Sequence, residues 1–198
     1  MFNSIFKIIY FIEMVIITTV RSIGTTKFRR LKTKEDHSSI LDNLLLGLNG
    51  VAMLLPIFYV FTSWFDFANF ILPLWLRWIG VFLFLFAAYI LWLTHQAMGR
   101  NWTPTLGIRE DHNLVTDGIF KYLRHPMYAS HLLWAIAQPL ILANWLVGFP
   151  FLLTQIAQYW LRIREEEGMM LEHFGDEYRE YMETTGRLIP WTIGKKTT

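Results

Sequence analysis

Apolar residues gather into runs close to the length of a bilayer crossing, separated by polar stretches, and this pattern predicts helices that span a membrane. Ser4–Val20 is interrupted by charge only at Lys7 and Glu13, and Lys7 lies near enough to one end to snorkel to the surface. The run lacks the basic leader and small-residue cleavage site of a signal peptide, so it is read as a retained span. Leu44–Phe61 is a clean run carrying Asn49, Gly50 and Pro56. Phe70–Leu93 is the longest, with Arg77 near one end and Trp75, Trp78 and Trp92 spaced like interfacial anchors. Two shorter runs, Tyr128–Leu142 and Val147–Leu161, flank Ala143-Asn144-Trp145. At about 15 residues each they barely cross a hydrocarbon core of about 30 Å, which predicts a tight helical hairpin.

The expected architecture is therefore an all-α integral membrane protein, a single membrane domain over 1–198 with about five transmembrane helices. A charged tail, 162–198, is expected to lie outside the lipid. Lys and Arg set the orientation. Arg21, Lys27, Arg29, Arg30, Lys32 and Lys34 follow the first span, whereas the next loop offers only Asp66 before Arg77. This places the N-terminus outside, and the 94–127 segment and the C-terminal tail in the cytoplasm. All long polar segments then share one face, as an enzyme using a cytosolic cosubstrate requires.

Composition narrows the chemistry. The 198 residues are 54% hydrophobic and 17% charged, with a net charge of +2 and no cysteine. Disulfides, thiolate metal sites and a cysteine nucleophile are excluded, and no global nucleic-acid footprint is present. Neither G-x-G-x-x-G nor a Walker sequence occurs. His95, His112, His125, His131 and His173 lack the spacing of a helical metal-ligand pair, so no metal site is expected.

Two polar stretches can carry a site. The first holds Gly99-Arg100-Asn101-Trp102, the block from His112 to Phe120, and Arg124-His125-Pro126-Met127-Tyr128. Pro126 suits the first position of a helix, with His125 held extended before it. The unpaired N–H groups and positive dipole end that result favour an anion. Gly118 suits a turn that brings backbone close to a ligand. The second stretch is Arg162-Ile163-Arg164-Glu165-Glu166-Glu167, in which Gln158, Arg162 and Glu166 share a helix face. A plain surface ion pair and an ordinary helix start explain these residues equally well. Pattern alone stops at a membrane protein with a polar site on its cytoplasmic face.

Taken in order, His112-x-Leu114-Val115-x-x-Gly118-x-Phe120, Arg124-His125-Pro126-x-Tyr128, Asn144 and Arg162-Ile163-x-x-Glu166-Glu167 resemble the isoprenylcysteine carboxyl methyltransferase family. Phe174-Gly175-x-Glu177-Tyr178-x-x-Tyr181 and Arg187-Leu188-Ile189-Pro190 continue the likeness, and the compact size is similar to that of its small prokaryotic members. The first two spans carry no matching motif. The resemblance implies S-adenosylmethionine as methyl donor, with S-adenosylhomocysteine as product, bound at the cytoplasmic face. It implies cofactor contacts from His112, Asn113, Leu114, Val115, Phe120, His125, Pro126, Met127, Tyr128 and Glu166. Arg162 is implied as the residue that faces the methyl acceptor, and Arg162 and Glu167 as the catalytic pair. The implied partner is a lipophilic acceptor entering from the bilayer, in the cell membrane of a prokaryote or the endoplasmic reticulum of a eukaryote. Three positions depart from the pattern: Phe120 stands where Tyr is usual, Met127 replaces a small residue, and Gly168 is expected to loosen the helix after the acidic run.

Other readings use the same residues. An amine or thiol acceptor, as in phospholipid or thiol methylation, sheds a proton and needs Glu167, His125 or Tyr128 as base. A sterol-reductase-like enzyme shares the broad architecture, and a non-catalytic membrane scaffold is the alternative outside enzymology.

Overall fold

The computed structural model describes residues 2–26, 40–99 and 113–190. Among these residues six α-helices run in the order α1 (Phe2–Thr26), α2 (Ile40–Phe61), α3 (Leu74–Met98), α4 (Pro126–Leu142), α5 (Trp145–Phe174) and α6 (Asp176–Thr184). Short 3-10 turns occupy Asp66–Ala68 and Gly118–Lys121. Among the described residues there is no β-sheet, only two isolated bridges. Three helices are long and apolar enough to cross a bilayer: Asn3–Thr26, Asn43–Phe61 and Leu74–Met98. The protein is an all-helical integral membrane protein, and its outer surface reads accordingly. Ile8, Ile12, Val51, Phe58, Phe82, Phe86 and Leu153 are each more than half exposed, a surface suited to lipid rather than water.

The core is a stripe on each helix. In α1, Phe6, Tyr10, Met14 and Ile17 recur every three or four residues and are buried against α3 and α4. Tyr10 donates to Gln138 Oε1 at 2.7 Å and packs edge-on to Phe84, and Gln138 in turn donates to the Val147 carbonyl at 2.6 Å. Tyr10 and Gln138 are thus satisfied within the bundle, as a lipid environment demands. Glu13 departs from this rule: it is buried, and neither carboxylate oxygen has a hydrogen-bond partner.

Small residues let the helices approach. A Cβ at Gly80 would lie 2.8 Å from Leu140 Cβ, and one at Gly148 would lie 2.8 Å from Pro139 Cα. Backbone contact of this kind is how helices gain packing where lipid is as apolar as the side chains. Gly148→Ala is therefore expected to destabilise the hairpin by about 1–3 kcal/mol through overpacking, read as a lower thermal midpoint in detergent. Gly47→Ala, where nothing lies within 4 Å of a Cβ, should leave that midpoint unchanged or raise it.

The hairpin turn is built by Asn144. Its Oδ1 accepts from the Leu146 and Val147 N–H groups at 3.0 and 3.2 Å, capping α5. Its Nδ2 donates to Phe65 O and Asn69 Oδ1, tying the turn to the α2–α3 connection. Ala143 takes the left-handed conformation that ends α4.

Several boundaries differ from those read in the sequence. The first helix covers 2–26 rather than 4–20, because Arg21 to Thr26 continue it. The third starts at Leu74, not Phe70, because Pro73 caps it, and it runs on to Met98. Lys7 does not simply snorkel; it pairs with Asp66 at 2.9 Å and sits 3.7 Å from the centre of the Tyr59 ring. Arg77 is buried, donating twice to the Ile141 carbonyl and once to Asn3. Finally, α5 is one helix of 30 residues passing unbroken through Gly168, so the expected loosening there is absent and the start of the tail is the end of the hairpin helix.

Candidate active site

The sequence Leu123-Arg124-His125-Pro126 becomes a helix entrance held from outside. His125 lies outside the helical region but is not fully extended, with φ −124° and ψ 60°, Pro126 is the first helical residue, and no side chain caps α4. Its leading N–H groups have no partners within the helix. The chain after α6 straps this entrance in place: Arg124 N donates to Gly186 O at 2.8 Å and His125 N donates to Arg187 O at 3.0 Å. Tyr181 donates to the Phe120 carbonyl at 2.6 Å, fixing the 3-10 turn that follows Gly118, whose φ of +62° favours glycine.

Consecutive acids on α5 have different fates because a helix turns about 100° per residue. Glu166 faces the same way as Gln155, Gln158 and Arg162, toward a cavity of about 410 Å³. Its Oε2 is buried without a hydrogen bond, 4.0 Å from His125 Nδ1. Glu167 points behind the cavity wall. Arg124 Nε and His125 Nε2 each lie 3.3 Å from its Oε1, and Arg187 donates to both oxygens at 3.0 and 2.6 Å. Burial pushes the Glu167 carboxyl up, but hydrogen bonds and charge from His125 and Arg187 outweigh it and hold the group at about 2. The same hydrogen bond from Arg187 raises that guanidinium above its ordinary value. Arg124 also donates to Met182 O and Thr185 O, so one guanidinium joins the end of α6 to Glu167.

The cavity brings together Phe120, His125, Pro126, Met127 and Tyr128 from the first polar stretch with Arg162 and Glu166 from the second. Leu114 and Val115 are half-buried and Asn113 is exposed on the connector, and none of the three lines the cavity. His112 lies outside the described residues, as do Arg100, Asn101 and Trp102. The expectation that Glu167 acts as a catalytic group conflicts with its position. It does not line the cavity, its oxygens are taken by cations, and its low pKa makes it a poor proton acceptor.

Other residues of the site were not singled out in the sequence. Arg124 and Arg187 were visible only as parts of motifs, and their shared partner could not be read without the strap. Asn49 was legible as one polar residue in a clean apolar run. It donates to Gln158 at 2.5 Å and accepts from Thr154, clasping α2 to α5 beside the cavity. Among the described residues, no group of three or more histidines and acids is placed to hold a metal ion.

Part of the chain is similar to known proteins. The profile of the isoprenylcysteine carboxyl methyltransferase family matches residues 78–172, which include the α4 entrance and the Arg162–Glu167 stretch. Over these residues the chain is similar to this family. It is 28% identical to a protein-S-isoprenylcysteine O-methyltransferase of Dictyostelium discoideum, over 71% of this chain and 60% of that protein. It is 37% identical to the enzyme of that name from Schizosaccharomyces pombe, over 41% of this chain and 34% of that protein. A solved structure of a eukaryotic intramembrane Ras methyltransferase of the family superposes with a TM-score of 0.55 at 25% identity, covering 82% of this chain and 56% of that one. The chain thus spans 60% or less of the length of these relatives. The match begins within α3, so α1 and α2 lie outside the family profile while still supplying walls of the cavity.

Proposed function

We propose that this protein transfers a methyl group from S-adenosylmethionine to the carboxylate of a lipophilic acceptor such as a C-terminal isoprenylcysteine. The observation that carries the reading is one cavity in which Arg162 and Glu166 of α5 face the uncapped start of α4. The match to the family profile and the names of the relatives support the same reaction.

The residues present suit the cofactor. A carboxylate fits the uncapped α4 N-terminus, where N–H groups and the helix dipole favour an anion. The unpaired Glu166 Oε2 suits an ammonium or ribose hydroxyls. When bound, S-adenosylmethionine supplies a methyl group to a carboxylate oxygen, the electron pair of the broken S–C bond staying on sulfur. The protein's share is positioning and the exclusion of water. A carboxylate acceptor with a pKa near 4 is already ionised, so no general base is needed, which agrees with the occupied state of Glu167. Arg162 then orients the acceptor through a forked, bidentate contact. With the basic loops inside, the site faces the cytoplasm, the N-terminus lies outside, and α4 and α5 complete a bundle of five spans.

Calorimetry on detergent-purified protein tests the cofactor half. Saturable S-adenosylmethionine binding is expected, weakened about tenfold or more in Glu166→Ala by loss of a charge-assisted contact. Absence of binding by folded protein would overturn the reading.

A further inference from the structure

The cavity contains a cation that the proposed reaction has not used. Arg21 belongs to α1, outside the 78–172 match, and its side chain reaches the cavity wall. Two features hold it there. Gly24, one turn further on, brings α1 against α3 so closely that a Cβ would sit 2.4 Å from His95 Cγ. Arg21 Nη1 then lies 3.2 Å from His131 Nε2, while His131 Nδ1 lies 2.7 Å from the Met127 carbonyl oxygen.

These two contacts select a tautomer. A carbonyl oxygen only accepts, so Nδ1 carries the hydrogen and donates it. An arginine only donates, so Nε2 is bare and accepts. Trp134 stacks on the imidazole, its ring centre 6.1 Å away, which fixes the ring plane. His131 is therefore a bracket that aims the guanidinium without neutralising its charge.

Depth and charge indicate what Arg21 meets. His131 follows Pro126 by five residues on α4, about 7.5 Å further into the bundle. That is the bilayer side of the helix entrance suited to the cofactor's carboxylate. Leu46 and Met53 of α2 and Leu91 of α3 line the same cavity, giving it an apolar wall. Arg21 itself is exposed, so its charge is open to an anion that enters beside this wall. Glu166 is the only acid among the described lining residues, against Arg21, Arg124 and Arg162, and Arg124 is engaged by Glu167.

We propose that Arg21, positioned by His131, is a second anion-recognition residue that engages the acceptor's carboxylate together with Arg162 and makes the site selective for acidic over neutral lipids. The inference rests on the methyl-transfer reading and deepens it. Methylation removes the acceptor's charge, so two arginines that favour the acid release the ester more readily than either would alone.

The test is binding of N-acetyl-S-farnesylcysteine and of its methyl ester to the full chain saturated with S-adenosylhomocysteine. Wild type should prefer the acid. Arg21→Gln should weaken the acid about tenfold, as expected for one charge-assisted hydrogen bond, leaving ester and S-adenosylhomocysteine affinities within twofold. Arg21→Lys should recover part of the loss. His131→Phe should weaken the acid in the same direction and add nothing to Arg21→Gln, because it acts through that residue. Equal weakening of acid and ester, a matching loss of S-adenosylhomocysteine binding, or unchanged acid binding in Arg21→Gln overturns the inference. A wild type that binds S-adenosylhomocysteine but neither lipid overturns the proposed acceptor as well. A wild type that prefers the acid, with Arg21→Gln unchanged, overturns this inference alone.

Discussion

Arg162→Ala should lower kcat/KM for a prenylcysteine acid by about 10²–10³-fold while S-adenosylmethionine affinity stays within about twofold. The size follows from the site: removing one partner of a buried, hydrogen-bonded charge pair costs about 2–5 kcal/mol. Arg162 is buried at the cavity wall, one turn before Glu166 on α5. Truncation leaves the acceptor carboxylate in a pocket with its orienting fork gone. Arg162→Lys keeps the charge and loses the fork, so partial recovery is expected. Methyl-transfer kinetics with both substrates varied separate the two affinities. Full activity in Arg162→Ala, or an equal loss of cofactor binding, would remove Arg162 from the acceptor side of the site.

Glu167→Gln should be as damaging by a different route. One carboxylate holds Arg124, His125 and Arg187 together, and Arg124 and Glu167 are almost wholly buried. Losing the charge leaves cations without their anion, a defect worth about 3–5 kcal/mol. The thermal midpoint should fall, and cofactor affinity should fall with it because His125 and the α4 entrance lose their anchor.

Acid titration gives an independent reading of the same group. The Glu167 carboxyl is held at about 2, below its ordinary value of 4.5. A depressed carboxyl contributes stability in full above the unfolded value and loses it as pH falls toward the folded value. Wild-type stability attributable to this group should therefore drain away between about pH 4.5 and 2, and Glu167→Gln should lack that component. If Glu167 were instead the proton acceptor of the reaction, Gln would abolish turnover with the thermal midpoint intact. That result would overturn the anchoring role.

Much of the architecture was legible because lipid imposes a simple rule on composition. Runs such as Leu44–Phe61 must be helical, since no other local structure satisfies its backbone without water. Pro126 was readable as a helix start because it acts on its immediate neighbours, whereas Asn144 was read only as part of the hairpin turn and its capping role came from the structure. The shared face of Gln158, Arg162 and Glu166 followed from helix periodicity alone. Boundaries were less legible. Nothing local distinguishes a polar residue that continues a helix from one that ends it, so α1 and α5 both outran their apolar runs.

The sequence by itself thus determined a membrane-embedded helical protein, the start of α4 at Pro126 and the two polar stretches that hold the candidate chemistry. Tertiary structure alone decided which of three adjacent acids faces the cavity, because that depends on the rotation of α5 against α4 and on the strap from Gly186 and Arg187. It also decided that Arg21, in a helix without a motif, reaches the same cavity as Arg162. Such contacts join residues from 20 to 110 positions apart, and their existence depends on packing between helices, which no local pattern along the chain records.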